Sequence, residues 1–241
     1  MKTNRILITA ILFMSLSAVC VNAQFYRSVT GNGNVVTKER PAPYFDGVRV
    51  STGIDVYLSQ GDKESIKVEA DENLHEYIVT EVKGGILNVY FDNVSIRSAK
   101  TKKVYVTIKN VRSLKTSSAG DIIGETPIRC EYISLSSSSA GDITLELYAK
   151  YVDIEISSSG NIKLKGEADT LNASLSSAGD LNAFDFKVKE AKINVSSAGD
   201  AEIYVTNKLI ANVSSAGDVV YDGNPEYLDA RSSSAGRIKK R

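Results

Sequence analysis

The stretch from residue 176 to residue 200 reads SSAGDLNAFDFKVKEAKINVSSAGD and contains one complete repeat of the chain. The corner motif, Ser-Ser-Ala-Gly followed by a polar residue, recurs through the C-terminal half, with Ser159 in place of alanine in the third copy. Successive corners lie 18 to 21 residues apart. Their glycines are Gly120, Gly141, Gly160, Gly179, Gly199, Gly217 and Gly236. Seven copies at this spacing are typical of a solenoid.

Apolar and polar residues alternate with a period of two between the corners. Ile143 and Leu145 follow one corner, for example, and Ile154 and Ile156 precede the next. A lone short strand cannot bury such an apolar face, but strands stacked about 4.8 Å apart cover one another. The sequence therefore predicts an all-β fold, a single-stranded parallel β-helix (β-solenoid) with seven rungs over residues 116–241.

The corner motif itself suggests roles for its residues. Glycine adopts positive φ at low cost, so we expect the repeated glycine to take that conformation at each sharp turn. We also expect the paired serines to form hydroxyl ladders that satisfy backbone groups of the turns along the stack.

The region before the regular repeats, residues 44–115, is strand-rich but less regular. Residues 48–62, VRVSTGIDVYLSQGD, read as a degenerate corner with flanking strands. Gly53, Gly85 and Gly120 lie 32 and 35 residues apart, which predicts hairpin insertions in the early coils. Asp71–Thr80 is the best helical candidate, and residues 24–43 are interpreted as an extended N-terminal arm.

The first 23 residues are typical of a signal peptide. Lys2 and Arg5 precede an apolar run that is too short for a membrane span, and Val21-Asn22-Ala23 fits a cleavage site. Cys20 raises a lipoprotein alternative, but Val19 and Ser17 match a lipobox poorly. We expect an exported protein, located in the periplasm, on the outer membrane surface or outside the cell, with no transmembrane segment in the mature chain.

Two segments, VRVSTGIDVYLSQGD (48–62) and VEADENLHEYIVTEVKGGILNVY (68–90), followed by tandem SSAGD repeats, carry a family resemblance. The order of these motifs resembles a family of exported Bacteroidetes proteins known as the auto-transporter adhesin head-domain family, of unknown function. The resemblance covers Tyr44 to Arg241. It implies a right-handed β-helix and an exported location, and it offers no catalytic residues to transfer.

The charge balance and the residue inventory argue against several functions. Without Lys2 and Arg5 the chain has 27 Lys and Arg residues against 29 Asp and Glu residues, which gives no basis for nucleic-acid binding. His75 is the only histidine, and we expect it on a solvated helix or loop. Cys130 is expected to be a partly buried, inert thiol. The sequence therefore predicts no catalytic residues, no cofactor and no enzymatic activity.

The most suggestive side chains are the aspartates that follow the corner glycines. This column consists of Asp121, Asp142, Asp180, Asp200 and Asp218, with Asn161 in the third copy and Arg237 in the last. Stacked carboxylates could bind Ca²⁺ or cationic sugars. The coil length differs from the nine-residue calcium β-roll, however, and the interruption by Asn161 limits repulsion, so a structural role is favoured.

Two functional hypotheses follow from these observations. The first is a non-catalytic cell-envelope module, adhesin-like or a scaffold, that presents a repetitive polar face to a glycan or a cell-surface protein. The alternative is a polysaccharide-binding or polysaccharide-active β-helix, with or without calcium. Tyrosines that could line one face of it are Tyr132, Tyr148, Tyr151, Tyr204, Tyr221 and Tyr227. A homo-oligomer is compatible with either hypothesis.

Overall fold

A computed structural model describes residues 27–241 of the chain. The predicted signal peptide and Cys20 lie outside the described residues. Within them, the strands are β1 (Arg27–Thr30), β2 (Val35–Arg40), β3 (Gly47–Val50), β4 (Asp55–Gln60), β5 (Ser65–Asp71), β6 (Ile78–Lys83), β7 (Ile86–Phe91), β8 (Val94–Ser98), β9 (Lys102–Ile108), β10 (Ser113–Thr116), β11 (Asp121–Gly124), β12 (Ile128–Ser138), β13 (Asp142–Ser157), β14 (Asn161–Leu175), β15 (Asp180–Val195), β16 (Asp200–Val213), β17 (Asp218–Asp222), β18 (Tyr227–Ser232) and β19 (Arg237–Lys240).

The C-terminal half is a parallel stack in which each turn of the chain, or rung, pairs with the next. β12 pairs with β13, β13 with β14, β14 with β15, and β15 with β16, all in parallel. β17 and β18 both pair with β16, and β19 pairs with β17. The predicted all-β solenoid is confirmed.

The core is a set of columns of apolar side chains that run along the stack. One such column consists of Ile122, Ile143, Ile162, Leu181, Ala201 and Val219, which are register partners and almost fully buried. The polar residues between them face solvent, as the alternation predicts. Because each fully buried Ile or Leu contributes about 1.5–3 kcal/mol, the stack is stabilised mainly by contacts between neighbouring rungs.

The first six repeated corners are four-residue turns whose two central residues, not the glycine, have positive φ, and the last corner has positive φ at Ser234. In the corner from Ser196 to Gly199, φ is 56° at Ser197 and 64° at Ala198. Positive φ at both central positions is the pattern of the type I′ turn. The expectation of positive φ at the seven repeated glycines is therefore wrong.

The repeated glycine is required by close approach to the preceding rung. A Cβ atom on Gly160 would lie 2.6 Å from the backbone carbon and oxygen of Ser137, and one on Gly217 would lie 2.6 Å from Cγ1 of Val195. Real Cβ contacts are not this short, so a side chain at this position has no room.

Backbone groups make most of the hydrogen bonds that link successive corners. The N–H of Ala198 donates to the carbonyl of Ser215 at 3.2 Å, and the corner alanines or serines of other rungs repeat this bond. Serine hydroxyls contribute at some corners, such as Ser196 Oγ donating to the carbonyl of Leu175 at 3.4 Å. The predicted hydroxyl ladder is thus wrong as the main link between corners.

The N-terminal end of the stack is closed by antiparallel strands. The first rung consists of β7 and β9, which pair in parallel with β3 and β4 of the second rung. β6 pairs antiparallel with β7, β5 with β9, and β2 with β5. β5 and β6 are the hairpin-type insertion that the glycine spacing predicts, but Gly85 lies in the β6–β7 turn and not at a corner.

The helical prediction for Asp71–Thr80 is wrong except for one 3₁₀ turn at Glu72–Leu74. Ile78–Lys83 forms strand β6 instead, because its residues pair with β7 as one arm of a hairpin. Among the described residues no helix has the length and apolar character that crossing a membrane requires.

A buried aspartate fixes the segment interpreted as an N-terminal arm. Residues of this segment form β1, which pairs with β8, and β2, which pairs with β5. The carboxylate of Asp71 accepts hydrogen bonds from the N–H groups of Gly33 (3.0 Å), Lys100 (3.1 Å) and Thr101 (3.2 Å). Burial raises the pKa of this carboxyl, but the three backbone donors outweigh burial and hold the pKa below its ordinary value.

Candidate functional site

The predicted aspartate column exists, and it is longer than the sequence motif indicates. Strand register places one residue per rung in a single line, in the order Lys103, Asp55, Asp121, Asp142, Asn161, Asp180, Asp200, Asp218 and Arg237. The column therefore has a cation at each end and a neutral amide near its centre. Sequence analysis missed Asp55 and Lys103 as members, although Asp55 follows the degenerate corner as the other aspartates follow theirs.

Carboxylates inside the column repel one another, whereas the carboxylate at its C-terminal end is paired with a cation. Burial, and then the charges of Asp180 and Asp218, raise the pKa of Asp200. Burial is likewise the main cause of the raised pKa of Asp121. Hydrogen bonds from the guanidinium of Arg237 instead hold the pKa of Asp218 below its ordinary value. These shifts are those of a charged row in which ends and centre are neutralised.

The column does not gather its carboxylates into a metal cage. Over residues 27–241, no group of three or more His, Cys, Asp or Glu side chains is placed to hold a metal ion. Each rung contributes one carboxylate, and successive carboxylates are separated by a strand spacing of about 4.8 Å. Ca²⁺ takes six to eight oxygen ligands at about 2.3–2.6 Å, which one carboxylate per rung does not supply.

A different surface of the same rungs forms an open groove of about 650 Å³. Its walls are outward-facing side chains that precede the corners, mostly hydroxyls and amides. We call it the serine–asparagine groove and define it by Ser136, Ser138, Glu155, Ser157, Ser174, Ser176, Asn194, Ser196, Asn212, Ser214 and Ser233. Lys115 lies at its margin.

The repeat explains the composition of this groove. The residue three before each corner glycine is serine, and the residue five before it is lysine, serine, glutamate, asparagine or arginine. Period-two alternation directs both positions outward, so parallel stacking turns them into two adjacent columns. Asn212 Nδ2 donates to Asn194 Oδ1 across rungs at 3.1 Å, which fixes the amide column. The sequence signal was present in these fixed offsets, although only the paired serines were singled out.

The six tyrosines proposed to line one face do not do so. Tyr132 and Tyr151 are neighbours in register and are 46% and 55% exposed, whereas Tyr221 faces the core. The guanidinium carbon of Arg129 lies over the ring of Tyr148, 4.2 Å from the centroid of that ring. The exposed tyrosines are thus confined to small groups.

The structure leaves His75 and Cys130 as structural residues. His75 is buried, not solvated as expected, and its Nε2 lies 3.0 Å from the carbonyl oxygen of Val36. Burial lowers the pKa of His75, so the ring is neutral at physiological pH. Burial raises the pKa of the Cys130 thiol to about 11, which keeps it protonated and unreactive.

Comparison with known proteins agrees with this architecture. Residues 44–225 match the family described as "Putative auto-transporter adhesin, head GIN domain". The chain belongs to this family. No curated protein matches the chain in sequence.

Three solved structures from Bacteroides and Parabacteroides are similar to this head GIN domain chain. A putative adhesin from Bacteroides fragilis has a TM-score of 0.83 at 19% identity, covering 88% of this chain and 100% of its own. A putative adhesin from Parabacteroides merdae has a TM-score of 0.72 at 22% identity, covering 89% of this chain and 99% of its own. A protein from Parabacteroides distasonis named a putative lipid binding protein has a TM-score of 0.72 at 26% identity, covering 89% of this chain and 100% of its own.

Proposed function

We propose that this protein is a non-catalytic, adhesin-like module of the cell envelope that binds a surface glycan along the serine–asparagine groove. The observation that carries the proposal is the groove itself, in which hydroxyl and amide side chains repeat with the rungs. A ligand that presents regularly spaced hydroxyls along an extended chain can form hydrogen bonds at successive rungs. Polysaccharides are the polymers with that chemistry.

The residues that could perform catalysis support a binding role. His75 is buried and neutral, and the Cys130 thiol is held protonated by its raised pKa. The groove contains serines and the carboxylate of Glu155 but no histidine among its lining residues, so the Ser–His pairing that activates a serine nucleophile is missing from it. Membership in the head GIN domain family supports an exported, surface-binding role.

The groove also favours a polar ligand over an acyl chain. Side chains with hydroxyl, amide or charged groups form most of its lining. An acyl chain would leave these groups without partners, whereas sugar hydroxyls can both donate and accept hydrogen bonds. We therefore do not transfer to this chain the lipid binding that the name of its Parabacteroides distasonis relative states.

A glycan array is the direct test, followed by titration of a retained glycan. The double substitution Asn194→Ala and Asn212→Ala removes the amide column of the groove and should weaken binding at least about tenfold, since two hydrogen-bonding groups are lost. The matched control is Asn172→Ala, which removes a similar bond to Asp153 outside the groove and should leave binding unchanged. Arrays with no retained glycan, or equal loss in both variants, would refute the proposal.

A further inference from the structure

The last rung of the solenoid leaves its core-facing side chains uncovered. Leu228 of β18 is 46% exposed, whereas its register partner Leu209 in the preceding rung is fully buried. Ile238 of β19 is only partly buried, whereas its partner Val219 is fully buried. Tyr227 at the start of β18 is 53% exposed. The final rung is therefore built as a core layer, and no strand among residues 27–241 covers its outer side.

The backbone of this rung is equally open. Among the described residues, β18 pairs with β16 and β19 pairs with β17, each along one edge. The other edge of β18 presents backbone N–H and C=O groups that can pair with another strand. At the opposite end β2 and β6 are edge strands as well, but the core-facing side chains of the first rung there, such as Leu87 and Val104, are fully buried. Within residues 27–241, an uncovered core layer beside an open edge therefore occurs at the C-terminal end.

We propose that the open rung is the interface of a homodimer in which β18 pairs antiparallel with β18 of a second copy. A two-fold axis makes the two edges equivalent, and strands related by such an axis across a shared edge run antiparallel. Core-facing Leu228 and Ala230 must then lie opposite core-facing residues of the other copy. This condition leaves only registers centred on a residue, since a shift by one residue would turn the core-facing set outward.

Charge selects between the two central registers. With Ala230 on the axis, Asp229 lies opposite Arg231 of the second copy, and both of these residues face outward. With Asp229 on the axis, two carboxylates lie opposite each other, which is unfavourable. Within one chain, Arg231 already binds both carboxylate oxygens of Asp229 at 2.9 and 2.8 Å. The Ala230-centred register lets the same groups form a four-charge cluster across the interface.

The last rung also carries four cations at the same end of the stack, Arg237, Lys239, Lys240 and Arg241, and carboxylates of the preceding rung pair with two of them. Arg237 pairs with Asp218, and Arg241 lies 4.0 Å from Asp222. Repulsion between the two copies of β19 is reduced accordingly. The proposal concerns self-association and does not depend on the ligand of the serine–asparagine groove.

Charge reversal at Asp229 and Arg231 distinguishes pairing between two copies from the ion pair that these residues form within one chain. Sedimentation equilibrium over a concentration series should show a dimer for the wild-type chain. Asp229→Arg and Arg231→Asp should each raise the dimer dissociation constant about tenfold or more, because both symmetric pairs become repulsive. An equimolar mixture of the two variants should form a heterodimer, since every cross-interface pair is then opposite in charge.

Two further variants keep the result interpretable. Leu228→Glu places a charge on the exposed core-facing position and should also give a monomer. Lys192→Glu lies on the outward face of a central rung and should leave the dimer intact. A monomeric wild-type chain, a dimer that survives Asp229→Arg, or a mixture that stays monomeric would overturn the proposal. Circular dichroism of each variant shows whether the solenoid is folded.

Discussion

The corner at residues 51–54 and the first six later corners share one turn but place glycine differently. Ser51-Thr52-Gly53-Ile54 has positive φ at Thr52 (61°) and Gly53 (69°), so glycine occupies a central position of the turn. The later corners put serine and alanine or serine at the central positions and glycine at the fourth. Their shared turn geometry shows that positive φ alone does not determine where glycine occurs.

The neighbouring rung explains the difference at the fourth position. Each later corner stacks directly on the corner of the preceding rung. At six of the seven glycines a Cβ would come within 3.0 Å of that rung, mostly of the residue just before its corner. The rung beside Ile54 has no tight corner, because residues 92–101, which include β8, connect β7 to β9. Ile54 is fully buried and fills the space that a stacked corner would otherwise occupy. Glycine is thus selected by stacking, so adding it at the fourth position of the first corner and removing it from a later corner should both destabilise the protein.

The largest effect should come from making the first corner resemble the later ones. Ile54→Gly removes a fully buried side chain where no stacked corner can close the gap, so it should lower the free energy of unfolding by about 4 kcal/mol. Urea denaturation followed by circular dichroism measures this change. Thr52→Ser serves as the control at the same turn and should have a small effect. A near-neutral Ile54→Gly would show that the space beside β7 and β9 is not as described.

The reverse change in a later corner should be nearly as damaging. Gly160→Ala places a Cβ 2.6 Å from the backbone of Ser137 and should destabilise the protein by about 3 kcal/mol through overpacking. Ser159→Ala, which installs the residue that most other corners have there, is the matched control and should be neutral. Hydrogen exchange should report opening around residues 137–180 before the rest of the stack, since rungs support only their neighbours. Uniform exchange across the stack would contradict this account.

A smaller, stabilising effect should follow from giving a later corner the central glycine of the first. Ala198 has a φ of 64°, and its equivalent in the first corner is Gly53. Ala198→Gly relieves a strained conformation and should raise the free energy of unfolding by up to about 1 kcal/mol, after the greater flexibility of the unfolded chain is counted. Ala201→Gly, at a buried strand position, should destabilise instead. Thermal melts of both variants decide the sign.

The smallest effect concerns the aspartate column, which runs through both regions. Asn161→Asp joins the two acidic segments and should destabilise the protein by about 0.5 kcal/mol at neutral pH. The pKa values of Asp121 and Asp200 are raised in the folded state, so protonation of these carboxyls favours folding. The repulsion between carboxylates of the column is therefore lost as the pH falls through the raised pKa values. The gap between variant and wild type should therefore close near about pH 3, below the ordinary pKa of aspartate.

The contribution of Asp218 to stability depends on pH in the opposite direction. Arg237 lowers its pKa, so its stabilising contribution is present above the ordinary aspartate value and is lost as pH falls through the lowered one. Melting temperatures of wild type and Asn161→Asp over a pH series, with and without Ca²⁺, separate these effects. A gap that widens in acid, or a large shift on adding Ca²⁺, would contradict a structural role for the column.

The periodic part of the fold was predictable from sequence because one coil repeats its pattern of apolar residues. The corner glycines, the apolar columns such as Ile143 and Ile162, and the aspartate column all lie where the repeat places them. The conformation of the corner was not predictable from sequence. A turn that needs positive φ and a close approach of the neighbouring rung both select glycine, and the sequence does not tell which of the two causes applies. The structure separates them at Gly160 and Ala198.

The irregular parts were harder to predict, since they depend on single long-range contacts. Asp71 holds its segment through backbone donors at Gly33, Lys100 and Thr101, none of which has a distinctive sequence. The first residues of strand β6, Ile78–Thr80, fit the end of a helix in the sequence because the alternation of the strand is short. The groove residues Asn194 and Asn212 were hidden within a repeat that already had a structural explanation.

The orientation of the hydrogen bonds between rungs has a mechanical consequence. The chain enters the stack at the end formed by β7 and β9 and leaves it at β18 and β19, and the bonds between rungs lie along the line joining these ends. Tension applied between the two termini therefore peels one rung at a time instead of shearing many strands together. Each released coil of about 19 residues adds roughly 65 Å of contour length. A solenoid of this kind should lengthen in steps under load, and the undisturbed rungs should keep their shape while it does.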